Sequence, residues 1–153
     1  MGESGGSGQV FRGSFEHSVD SKGRVSVPSR FRELIAERYE GKLVLTMDYD
    51  NCVTVYPLEE WERFEEKVKA LPQTQKEVKD FVRFLFSTAT ECELDKQGRI
   101  LIPPALRDAA GITKTVTVVG IINKMEIWAK TAWDARRSLS GDKVGDVLSS
   151  LGL

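Results

Sequence analysis

The chain has 153 residues, of which 41% are hydrophobic and 29% charged, with a formal net charge of −1. That length fits one domain or two small ones, and the composition is ordinary for a globular protein. No apolar run reaches the ~18 residues of a membrane helix, no basic-then-apolar leader opens the chain, and Cys52, Cys92 and the single histidine, His17, have no zinc or redox spacing.

In chain order, residues 1–8 ("MGESGGSG") carry no core former and read as a linker. Phe11, Gly13, Phe15, His17 and Val19 alternate with more polar neighbours, the period of a strand. Asp20–Gly23 is a turn, Arg24–Val27 a short strand closed by Pro28, and Phe31, Leu34, Ile35 and Tyr39 have helical spacing up to a stop at Gly41. Strands Leu43–Met47 and Cys52–Tyr56 flank the turn "DYDN". Pro57 then opens a helix with the stripe Leu58, Trp61, Phe64, Val68. Its acidic run, "EEWERFEE", reads as a solvated face. Gln73–Thr88 is a connecting helix whose Phe81, Phe84 and Phe86 cannot share one narrow stripe, which leaves two readings open, packing within one subunit or part of the face meeting a neighbour in self-association.

The order then repeats. Cys92 and Leu94 end a strand, Asp95–Gly98 is a turn, Arg99–Ile102 a strand and Pro104–Ala110 a helix stopped by Gly111. Val116–Ile121 and Met125–Ala129 form a hairpin, and Thr131 is placed to cap a helix containing Trp133. The match is residue by residue: Asp20/Asp95, Gly23/Gly98, Arg24/Arg99, Pro28/Pro103 and Arg32/Arg107 share an offset of 75. Tyr56/Trp128 and Trp61/Trp133 share an offset of 72, which places a three-residue loss between helix and hairpin. Such a duplication reads as an α+β protein whose two repeats pack as one compact unit, because each repeat alone is too small to bury a core. The chain divides into a first repeat at 9–72, a connecting helix at 73–88, a second repeat at 89–139 and a tail at 140–153 left without assignment.

The duplicated turns carry the chemistry. Asp20 and Asp95 set each turn by bonding their own backbone, and Gly23 and Gly98 supply the unusual φ. Arg24 and Arg99, with Lys22 and Lys96, project from these loops, and Ser21 and Gln97 add polar groups. An arginine fork held on a rigid turn can grip a phosphate or read guanine. Two readings stand side by side: a DNA contact, or Asp–Arg ion pairs that merely brace each turn. Arg32 and Arg107 equally fit long side chains lying over the core. Charge is segregated: residues 11–32 carry five cations against two carboxylates, residues 59–66 one against five. Nothing nominates a catalytic nucleophile and base, a metal site or a cofactor. The cysteines read as small buried hydrophobes of a reducing compartment, the cytoplasm.

The pair "HSVDSKGRVSVP" and "CELDKQGRILIP", with "FRGSFEH", "YPLEEWE" and "IWAKTAWD", resembles the MraZ family of bacterial transcriptional regulators over about Val10 to Leu139. The resemblance implies two tandem AbrB-like β-rich repeats in a pseudo-symmetric unit with outer helices. It implies Asp20–Arg24 and Asp95–Arg99 on the DNA side, a homo-oligomeric ring, and a nucleoid-associated repressor of G-rich direct repeats in the promoter of the division and cell-wall gene cluster, its own gene included. Lysine is shifted by one between "DSKGR" and "DKQGR", so the two turns are expected to contribute unequally. The competing class is an oligomeric protein-interaction hub or an antitoxin-like module.

Overall fold

The computed structural model describes residues 10–137 and 142–153; the linker reading of residues 1–8 lies outside the described residues. The first repeat holds β1 (Ser14–Ser18), β2 (Arg24–Ser26), α1 (Ser29–Tyr39), β3 (Lys42–Met47), β4 (Val53–Pro57) and α2 (Leu58–Lys69). Helix α3 (Lys76–Ser87) connects it to β5 (Thr90–Glu93), β6 (Arg99–Leu101), α4 (Pro104–Ala109), β7 (Thr115–Ile121), β8 (Lys124–Ala129) and α5 (Lys130–Arg137). A last helix, α6 (Asp142–Ser150), fills most of the unassigned tail.

The repeats are joined by exchange. One antiparallel sheet runs β1-β7-β8-β4-β3-β5, and a second, two-stranded ribbon pairs β2 with β6. The opening strand of each repeat therefore edges the hairpin of the other: β1 lies on β7, and β5 lies on β3. The register fixes a pseudo-twofold axis. Val25 sits opposite Ile100, its own equivalent at offset 75, and Thr54 sits opposite Glu126, its equivalent at offset 72. The axis thus passes through the ribbon and through the middle of the sheet.

Period-two alternation covers both faces of that sheet. On one face Leu43, Leu45, Val53, Val55, Val116, Val118, Met125 and Ile127 bury against the ribbon residues Val25 and Ile100, with Phe31 and Ile35 of α1 and Leu106 of α4. On the other face, Tyr56 and Trp61 pack with Val44, and Trp128 and Trp133 with Val119 and Cys52. The two aromatic pairs are equivalent, with ring centroids 5.3 and 5.6 Å apart. The expected single unit with outer helices is the one observed.

Several local expectations change. Thr131 does not cap α5, because that helix begins one residue earlier at Lys130. The loss between the repeats falls largely in the helix: α1 has 11 residues and α4 only 6. Strand β1 is shorter than the alternation suggests, because Gly13 has φ +97 and Phe11 makes only an isolated bridge to Ile122. Glu60 is not on a solvated face. It is 7% exposed, accepts from Tyr39 Oη at 2.8 Å and Arg63 Nη1 at 2.7 Å, and reaches Asn123 Nδ2 at 3.3 Å. A buried carboxylate needs such donors, and they tie α1, α2 and the β7–β8 turn together. The phenylalanines of α3 find partners within the chain: Phe81 and Phe84 stack with Tyr49, and Phe86 packs on Trp61.

Candidate functional site

Each duplicated turn is a type I turn closed by a left-handed glycine, the three-residue hairpin with a bulge. In the first, Gly23 N–H donates to Asp20 O at 3.0 Å and Asp20 N–H to Arg24 O at 2.9 Å, with Gly23 at φ +88. In the second, Gly98 N–H donates to Asp95 O at 3.0 Å and Asp95 N–H to Arg99 O at 2.9 Å, with Gly98 at φ +77.

The aspartates organise both loops. Asp20 Oδ1 accepts the Lys22 and Arg24 amides at 3.0 and 2.8 Å, and Oδ2 accepts Arg24 Nε at 2.7 Å. Asp95 repeats the pattern with the Gln97 and Arg99 amides, both at 2.9 Å, and Arg99 Nε at 3.0 Å. Donors aimed at a carboxylate favour its charged form. The Arg24 amide is the main reason the Asp20 carboxyl is pulled down to about 2, and the Arg99 amide acts in the same direction on Asp95.

The ion pairs expected on structural grounds are therefore present, and they leave the arginines usable. Each aspartate hydrogen-bonds Nε rather than a terminal nitrogen of its own arginine, which leaves Nη1 and Nη2 as further donors. The two arginine side chains keep 33% and 26% of their exposure. Arg99 also lies across the axis, with Nη1 3.7 Å from Asp20 Oδ2.

Strand parity brings the loops to one pole. Val25 and Ile100 point inward, each 1% exposed. Arg24, Ser26, Arg99 and Leu101 consequently share the outer face of the ribbon. Ser21, Lys22, Lys96 and Gln97 are exposed at the tips beside it. All six side chains singled out from sequence, Ser21, Lys22, Arg24, Lys96, Gln97 and Arg99, thus flank the pseudo-twofold axis, where four cations face the two turn carboxylates.

Arg32 and Arg107 were not legible as part of this pole. A Cβ built on Gly23 would lie 2.6 Å from Arg107 Cζ, and one on Gly98 would collide with Arg32 Nη1 and Cδ. Each arginine belongs to the repeat opposite the glycine it covers. The backbone crosses in the same way: Ile102 N–H donates to Gly23 O at 2.9 Å and Val27 N–H to Gly98 O at 3.0 Å. The only signal in the sequence was that both arginines recur at the same offset as the glycines.

Other chemistry-bearing groups lie elsewhere. His17 sits in β1, where burial and then Arg32 lower its pKa. Among the described residues, Asp48, Cys52 and Glu126 bring one ligand atom each within 4.8 Å of the others. There burial pushes the Cys52 thiol up, and Trp128 Nε1 holds Glu126 at 2.9 Å. No helix among the described residues is long and apolar enough to cross a membrane.

Fold and turns together define a duplicated, strand-exchanged α+β domain with a matched pair of basic bulge turns at one pole. The family model for MraZ protein, described as antitoxin-like, matches twice in tandem, over residues 10–84 and 85–139. A transcriptional regulator MraZ of Acetivibrio thermocellus is 44% identical over 147 residues, covering 94% of this chain and 100% of the relative. Those of Desulforamulus reducens and Desulfitobacterium hafniense are 50% and 51% identical, over 82% and 81% of this chain and 85% and 84% of their own. The chain belongs to the MraZ family.

Proposed function

We propose that this protein is a sequence-specific, DNA-binding transcriptional regulator that grips duplex DNA with its ribbon pole. The observation that carries the reading is the pair of Asp-anchored arginines, Arg24 and Arg99, displayed on one face by two equivalent turns. The name its relatives carry, transcriptional regulator MraZ, supports it. Arg24 and Arg99 read base edges, and a guanidinium already oriented by its aspartate loses little freedom on binding. Lys22, Lys96, Ser21 and Gln97 bond the phosphates and fix the register. The targets are G-rich direct repeats, which suit arginine, in the promoter of the division and cell-wall gene cluster including the protein's own gene, and the effect is repression. Copies joined in a homo-oligomeric ring meet boxes spaced by roughly one helical turn, about 10 bp, and avidity multiplies the modest charge of each pole. The protein works in the cytoplasm, at the nucleoid.

Selection of bound sequences from random duplex DNA tests the reading directly, and enrichment of repeated G-rich boxes is the expected outcome. In an electrophoretic shift with those boxes, Arg24→Ala combined with Arg99→Ala abolishes binding while the fold is kept. Undiminished affinity in that double variant removes the turns from the interface. The antitoxin-like description of the family model favours a second reading, a protein-binding module. It predicts a stoichiometric protein partner that co-purifies without DNA.

A further inference from the structure

We infer that Arg32 and Arg107 are positioning residues which cross-brace the two turns, each arginine holding in shape the turn of the repeat to which it does not belong. The inference rests on the reading of the turns as DNA contacts, and it adds how their geometry is kept and why both copies must be present.

The geometry is reciprocal. Arg107, from α4, lies against the Cα of Gly23, and Arg32, from α1, lies against that of Gly98. Both glycines are buried although they sit beside exposed loop tips, and the opposite arginine is what covers them. A side chain at either glycine would occupy the space of the guanidinium, so the glycines serve a close approach as well as a positive φ. At Gly23 the covering atoms are Cζ, Nε and Nη2 of the guanidinium plane, which a lysine lacks, and at Gly98 they are Nη1, Cζ and the Cδ methylene.

The first brace is closed into a ring. Arg107 Nε donates to Ile102 O at 2.9 Å, Ile102 N–H donates to Gly23 O at 2.9 Å, and the guanidinium returns over Gly23. The second brace is open. Val27 N–H donates to Gly98 O at 3.0 Å, but Arg32 Nε is buried with no hydrogen-bond partner. Turn 20–24 is thus held by a hydrogen-bonded arginine and turn 95–99 by a packed one. This inequality lies in the support of the turns, separate from the lysine shift at their tips.

Amide hydrogen exchange of the free, full-length protein tests the brace without DNA. Arg107→Ala is expected to speed exchange about tenfold at Lys22 and Arg24 and to leave Gln97 and Arg99 unchanged. Arg32→Ala is expected to do the converse, with a smaller ratio. Arg107→Lys, which keeps the stem and charge, should behave like Arg107→Ala because it lacks the plane. Equal acceleration at both turns, or none, overturns the inference. With a duplex enriched by selection, affinities should show crossed coupling. Arg107→Ala added to Arg24→Ala lowers affinity by less than its full factor, the remainder being what Ser21 and Lys22 contribute, whereas added to Arg99→Ala it lowers affinity by its full factor. Coupling within one repeat, Arg107 with Arg99, overturns it. Crossed exchange together with unimpaired DNA binding by the Arg24→Ala, Arg99→Ala protein leaves the brace standing and removes the DNA reading.

Discussion

Turn 20–24 and turn 95–99 are two versions of one loop, and the parts that differ are separable from the parts that do not. Asp, Gly and Arg, with their hydrogen bonds, are the same in both to within a few tenths of an ångström. The tips differ: Ser21-Lys22 in one, Lys96-Gln97 in the other. So do the supports, one bonded arginine against one unbonded. Loop shape is therefore set by three residue types and a neighbour from the other repeat, while the tip is free to carry whatever contact the partner requires.

The comparison would break most severely if the two repeats could be uncoupled. Ile100→Ala removes the second-repeat half of the inward pair on the axis and is expected to cost about 2–5 kcal/mol. Because that residue packs across the axis on Val25, chemical denaturation should still show one transition for both repeats. A separate, earlier unfolding of the second repeat would contradict the exchange. Next in size, Gly23→Ala and Gly98→Ala should each cost about 1–3 kcal/mol through the left-handed backbone and the displaced arginine. Gly98→Ala should cost at least as much, since Arg32 comes closer to the new methyl group than Arg107 does.

Exchanging the tips sharpens the comparison. Lys22→Gln should reduce the magnitude of the slope of log affinity against log salt by about 0.9, the value for one phosphate contact. Gln97→Lys should increase it by a similar amount. The smallest effect is a titration. The folded Asp20 pKa of about 2 lies below its ordinary 3.8. Its support for the turn is therefore complete above about pH 4 and disappears as pH falls through about 2. Carboxyl carbon shifts should show that midpoint, and Arg24→Ala should leave it depressed, because the backbone amide of residue 24 contributes more than its side chain.

Much of this was readable in the chain because it is local. Turn residues, a proline after each short strand and the stripe of α2 are short-range patterns, and the offsets of 75 and 72 emerge from laying one set of them over the other. The exchange of β1 and β5 was not readable, since periodicity reports which face of a strand is buried and never which strand lies beside it. Arg32 and Arg107 escaped for the same reason: an arginine early in a helix looks like a side chain lying over the core until the partner glycine, many residues away, is brought beneath it. Glu60 was hidden by its neighbours, five acidic residues in eight, of which it alone is buried. Its donors Tyr39 and Asn123 come from two other elements, while Arg63 sits one turn away.

Strand exchange also dictates an order of events during synthesis. When the first repeat has left the ribosome, β3 has no β5 and β1 has no β7. Strand β5 seals the β3 edge first, but the β4 edge waits for β8 and the opening strand for β7, until more than half of the remaining chain has been translated. Productive folding must wait for the second repeat, and a truncated transcript yields a polypeptide with unsealed strands rather than half a working protein.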